Sequence, residues 1–182
     1  PDGGAPDTGS AEGGVHKRVF VSAGGKDGDL VTQAKLEDTK FTGDGVAAAD
    51  LLCGLEASKA GLPGTFRAWI STSQVGAASR FVDKAPRYSA LDVEILTNIG
   101  SPPVVAIPDV KGAALPTPSL VWTGTGSDGM WSSGGGDCGA WASATPVVKG
   151  LVGDPNATST AWTNSKSVAC SPTTARLYCI QI

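Results

Sequence analysis

Four cysteines, Cys53, Cys138, Cys170 and Cys179, constrain this chain more than any other feature of its sequence. No CxxC spacing joins any two of them, and the single histidine, His16, lies far upstream. Zinc-binding cysteines come in tight pairs or beside histidines, so this arrangement reads as disulfides and not as a metal site. Disulfides place the protein in an oxidising compartment outside the cytoplasm. Four cysteines can pair in three ways, and at this point all three remain open.

Such a chain needs staples. Gly (25) and Pro (12) make up about a fifth of the 182 residues, and only 6% are aromatic. That composition predicts many tight turns and a loop-rich domain. The length predicts one domain with a core of its own. Charged residues are 17% of the chain, the net charge is −3 and no long basic run occurs. Nucleic acid is therefore excluded as a partner, because binding it requires a basic stripe that displaces counterions. No stretch approaches the roughly 20 apolar residues needed to span a bilayer.

The first fourteen residues, PDGGAPDTGSAEGG, carry no large apolar side chain and cannot repay the entropy of ordering. We read residues 1–16 as a flexible tether and residues 17–182 as the domain. A start at Pro1 without Met fits a trimmed chain. A tether of this composition suits a domain held off a membrane by an N-terminal lipid anchor, the one membrane association expected. A plain disordered terminus fits it equally well.

Residues 17–22 (KRVFVS) have strand character, and the polar residues 23–45 predict a long loop. Residues 46–60 predict a helix: Ala, Leu and Glu dominate, Asp44 can cap it, and Gly61 and Pro63 stop it. Val46, Ala49, Cys53, Ala57 and Ala60 share one helical face, which turns Cys53 toward the core. Residues 66–70, 104–107, 120–122 and 176–180 predict short strands. A second helix is expected within 74–100, with residues 92–96 following a strand or turn at Tyr88. The fold class is α+β: one or two helices on an irregular, mostly antiparallel sheet with long loops.

Several patterns invite a chemical reading that their context refuses. Residues 124–129 satisfy GxGxxG, but MWSSGGG follows and cannot open the helix a dinucleotide site requires, so a turn is expected. Asp27 and Asp29 lack the remaining ligands of a calcium loop and suit a Gly-Asp turn. No GxSxG occurs, His16 is the only histidine base, and no pair among the seventeen acids stands out for glycoside hydrolysis. The expectation is a protein that is not an enzyme and uses no cofactor or metal. Asn156-Ala-Thr158 is a formal glycosylation sequon. Trp69, Trp122 and Trp141, beside strands or cysteines, are expected in the core. Trp131 and Trp162 sit in polar loops, where two indoles on one side could form a stacking platform for sugar rings or aromatic groups.

Three blocks carry a family resemblance over roughly residues 50–182. They are the segment from Cys53 to Ser71 containing AGLPGTFRAWIS, then LVWTGTGSDG with CGAW after it, and finally VAC followed by LYCI. In cysteine order and spacing they resemble the endostatin-like family, including bacterial endostatin-like surface proteins. The resemblance implies a fold related to C-type lectins and two nested disulfides, Cys53–Cys179 and Cys138–Cys170. It does not carry over the family's histidine-rich zinc site, since only His16 is present. The nearest match to the family's heparin-binding arginines is Arg80, Lys84 and Arg87, which in an acidic chain also fit a solvated face. The Glu-Pro-Asn, Gln-Pro-Asp and Trp-Asn-Asp triplets of calcium-dependent sugar binding do not occur.

The function this implies is a non-enzymatic, extracellular or cell-surface binding domain, adhesin-like, whose loops recognise a protein or polysaccharide partner. Two rivals stand beside it: a structural subunit of an envelope or filament assembly, and a calcium-independent carbohydrate-binding module.

Overall fold

The structure, a computed structural model, describes residues 16–134 and 136–182, so the expected tether falls outside it except for His16. After a first short strand at Val19–Val21 come two helices, each started by an aspartate. Asp29 accepts from Thr32 N (2.9 Å) at the head of α1, Leu30–Glu37, and Asp44 accepts from Ala47 N (2.8 Å) at the head of α2, Gly45–Lys59. Each cap satisfies a backbone N–H that has no partner within the helix. α2 lies within one residue of its expected bounds. α1 replaces part of the loop expected over 23–45. Only eight residues long, it is held by Leu30 and Ala34 packing into the core and by a Lys59–Glu37 ion pair to α2 (3.1 Å).

The described residues hold eight short strands: β1 Val19–Val21 ahead of the helices, and after them β2 Phe66–Ala68, β3 Arg87–Tyr88, β4 Glu94–Leu96, β5 Val121–Trp122, β6 Lys149–Gly153, β7 Lys166–Ala169 and β8 Tyr178–Gln181. They form three small antiparallel sheets, ordered β1-β8-β2, β3-β4 and β5-β6-β7. β8 is the centre of the first sheet, with Cys179 opposite Phe20 on one side and Ala68 on the other. Both faces of this sheet are covered. Phe20, Phe66 and Cys179 join one cluster with Leu52 of α2 and Trp122, while Val19, Val21, Tyr178 and Ile180 enter a second cluster with Trp69, Phe81 and Trp162. Strands buried on both faces read as continuous apolar runs, which is why VFV and YCI were legible.

Cys53 bonds Cys179 and Cys138 bonds Cys170, the nested pairing that the resemblance implies. The first joins the middle of α2 to β8. The second fixes a turn in which Cys138, Gly139, Ala140 and Trp141 all hold positive φ, between 50° and 64°. That left-handed turn costs roughly 1 kcal/mol at each non-glycine residue. It is held by Asp137, which accepts from Trp141 N (2.7 Å) through its carbonyl and from Ala140 N (3.0 Å) through its carboxylate.

Two expectations are corrected. Residues 104–107 form no strand: prolines at 102, 103 and 108 interrupt the segment, and Val104 and Val105 face solvent. No second α-helix forms within the described residues 74–100. A 3₁₀ turn occupies Ala77–Arg80, and residues 94–96 extend as β4 because Ile95 and Leu96 are drawn into the second cluster. Residues 124–129 form the expected turn, closed by Gly126 N to Met130 O (2.7 Å) and Gly129 N to Gly126 O (3.1 Å). Taken together the architecture is α+β.

Candidate functional site

Ser159 caps a 3₁₀ turn over Thr160–Trp162 that swings the Trp162 indole inward. Trp162 is 1% exposed and packs on Trp69 (5.2 Å) and Tyr178 (5.3 Å). It has no face for a ligand, and the expected two-tryptophan platform does not form. The polar sequence around it suggested a surface loop, but the tertiary fold buries the ring. Trp131 is half-buried, and its indole N–H is enclosed without a hydrogen-bond partner among the described residues. Trp69, Trp122 and Trp141 are in the core, as expected.

Arg80 and Arg87 do meet, with Arg67, around a cavity of about 220 Å³. Their donors, however, are turned to the protein's own backbone. Arg87 is fully buried, its Nε donates to Gln181 O (2.9 Å) and Nη1 to Pro86 O (3.3 Å), and Nη2 lies 3.5 Å from Asp83. Arg80 pairs with Asp50 and donates to Ala68 O (2.8 Å), while Arg67 donates to Arg80 O (2.8 Å). These guanidiniums pin the 77–87 segment to the first sheet. Lys84 is exposed and its nearest partner is Ala78 O at 3.4 Å. The cluster expected to bind an anionic chain is thus largely occupied in holding the fold.

The turn between β3 and β4 carries a feature that sequence reading missed. Leu91 and Val93, 66% and 49% exposed, share a cavity wall with Val105, 41% exposed, and Val104, next to it in the chain, is 50% exposed. A cavity of about 200 Å³ opens between the turn and the 105–115 segment, with Ile95, Ile107 and Leu115 also in its wall. No ionisable side chain lines it. Its one side-chain hydroxyl, Ser89 Oγ, already accepts from Leu91 N and Val93 N (3.2 Å each).

The turn that presents these residues is firmly held. Arg18 Nη1 donates to Ser89 O and lies against Asp92 Oδ1, both at 2.6 Å, and His16 sits 3.4 Å from the same carboxylate. Arg18 keeps the Asp92 carboxyl below the usual carboxylate range. Asp92 has φ of 59°, a conformation Asp tolerates better than bulkier residues do. Leu91 and Val93 therefore project from a turn fixed before any partner arrives. The available signal was faint: apolar residues on both sides of an Ala-Leu-Asp turn, and two valines behind a pair of prolines.

Fold and site together define an α+β domain closed by two disulfides, the mark of an oxidising, extracellular environment. Among the described residues no helix is long and apolar enough to cross a membrane. No protein-family model matches the sequence, and no curated protein matches it.

Proposed function

We propose that this chain is an extracellular, non-enzymatic binding domain, adhesin-like, that captures a protein partner through the apolar surface around Leu91, Val93, Val104 and Val105. The observation that carries the reading is one cavity whose wall joins exposed Leu91 and Val93, on their braced turn, to exposed Val105 of the facing segment. Isolated apolar residues on a surface are ordinary, whereas a contiguous group marks an interaction site. The wall offers no aromatic ring to stack on a sugar and a single hydroxyl, that of buried Ser89, which favours a protein segment presenting aliphatic side chains. The nested disulfides and the helix-on-sheet core agree with an endostatin-like, C-type-lectin-related fold. Attachment to a cell surface through an N-terminal lipid anchor completes the proposal.

The test is binding of the oxidised domain to panels of matrix proteins and glycans, with Leu91→Asp and Val105→Asp variants beside Trp131→Ala. We expect a protein ligand whose binding falls at least roughly tenfold in both aspartate variants and is unchanged in Trp131→Ala. Glycan binding lost in Trp131→Ala would replace this reading with the carbohydrate-binding module. Self-association abolished by Leu91→Asp, with no ligand on either panel, would replace it with the assembly subunit.

A further inference from the structure

A second cleft, of about 380 Å³, runs beside the C-terminal half of α2 and has a different chemistry. The helix contributes Leu52, Leu55 and Glu56, the loop ahead of α1 contributes Lys26, and the turn after Asp109 contributes Val110 and Lys111. Lys59, also on its wall, is already committed to Glu37. The ammonium groups of Lys26 and Lys111 have no ion pair or hydrogen bond among the described residues, although both line the cleft.

Glu56 is half-buried, and one of its oxygens accepts from Ala23 N. Its other oxygen has no partner among the described residues. Burial pushes the Glu56 carboxyl above its ordinary range, even though the Ala23 N–H, Lys26, Arg176 and Lys59 all pull it down. Two cations without an ion pair, an unpartnered oxygen of Glu56 and an aliphatic floor are thus brought together on three different elements of the fold, with the Lys59–Glu37 pair on the same wall.

We propose that this cleft binds a small carboxylate with an apolar body and an adjacent N–H, the chemistry of an acylated amino acid or of a peptide C-terminus. The ligand carboxylate sits on Lys26 and Lys111, its N–H donates to Glu56, and its side chain covers Leu52, Leu55 and Val110. Both kinds of group are needed: charge-assisted hydrogen bonds orient the ligand, and the apolar contact supplies affinity that hydrated charges alone would not. The site is independent of the apolar surface at Leu91 and stands whether or not that surface binds a protein.

The structure provides a local reporter, because the Trp122 indole N–H donates to the Lys26 carbonyl (2.8 Å). The experiment is an NMR titration of the isotope-labelled, oxidised domain with N-acetyl-leucine, N-acetyl-leucinamide and a tetrapeptide ending in leucine. The expected result is saturable movement of the Trp122 indole signal with the acid, and binding roughly tenfold weaker for the amide. Lys26→Ala and Lys111→Ala should each weaken the acid by a similar factor while the rest of the spectrum stays native. Equal affinity for N-acetyl-leucine and the tetrapeptide identifies a free acylated amino acid, and tighter binding of the peptide identifies a chain terminus. The proposal is overturned if acid and amide bind alike, if neither lysine matters, or if tens of millimolar acid leave the Trp122 signal in place.

Discussion

Gly45, the first residue of α2, lies against the carbonyl oxygen of Ala140 so closely that a β-carbon at position 45 would overlap it. This contact seats the helix on the left-handed turn. The turn cannot retreat, because Cys138 anchors it to Cys170 and the Trp141 indole N–H is tied to Ser71 O (2.9 Å).

Gly45→Ala should therefore destabilise the domain by about 1–3 kcal/mol, although alanine is the better helix former by about 1 kcal/mol. The same helix supplies the control. A β-carbon on Gly54 meets nothing within 4 Å. Gly54→Ala should accordingly stabilise by about 0.5–1 kcal/mol. Urea midpoints of the two variants, measured against wild type, check both signs at once.

This pair of glycines also shows where sequence reading stops. α2 was legible because its cap, composition and stop signal agree and Ala49, Cys53 and Ala57 of its expected face are buried, although Val46 is only half-buried and Ala60 is exposed. The strands around Phe20 and Cys179 were legible as buried apolar runs, and that around Phe66 as an alternating one with Arg67 between two buried residues. α1 was not, since its stability comes from docking on α2 and its own eight residues are too few to hold a helix alone. Trp162 misled for a related reason: a local polar sequence says nothing about where a 3₁₀ turn will point a ring. Both surfaces assembled here, at Leu91 and at Lys26, join residues distant in sequence, and only the fold brings them together.

The two disulfides should differ in weight. Cys53–Cys179 spans 126 residues and Cys138–Cys170 spans 32. Chain entropy assigns the outer bridge about 5 kcal/mol and the inner one about 3.5 kcal/mol. Cys53→Ala with Cys179→Ala should thus lower the denaturation midpoint further than Cys138→Ala with Cys170→Ala. An opposite order would show that the left-handed turn depends on its bridge for more than loop closure.

Arg87 is predicted to be structural. Truncating a buried guanidinium strips the carbonyls of Gln181 and Pro86 of their donor and leaves the 81–87 segment detached from the end of β8. Arg87→Ala should cost about 3 kcal/mol or more by chemical denaturation. Arg87→Lys should recover little of it, because a point charge with rotating donors cannot reproduce the fixed fork that reaches several acceptors. Recovery by lysine would mean that charge, and not the shape of the group, holds this segment.

Two carboxyls pull the pH dependence of stability in opposite directions. Asp83 is held down to about 2, chiefly by the hydrogen bond from Lys17 Nζ (2.5 Å), then by Ala85 N and by the charge of Arg87. The native state binds this proton less tightly than the unfolded chain does. The Asp83 contribution is therefore complete above the ordinary carboxylate value of 3.8 and is lost as pH falls from there toward about 2. Glu56 behaves oppositely, because burial raises its carboxyl above the model-peptide value of 4.5. Its favourable contribution is full below that value and disappears as pH rises through the raised native one. Asp83→Asn should flatten the acid limb of a plot of Tm against pH and leave the difference from wild type constant above it. Glu56→Gln, which keeps an oxygen for Ala23 N, should raise Tm at neutral pH and match wild type in acid, where Glu56 is already uncharged. If Glu56→Gln gave the same shift at every pH, the charge on Glu56 would not be the cause, and the cleft beside it would be wetter than its burial implies.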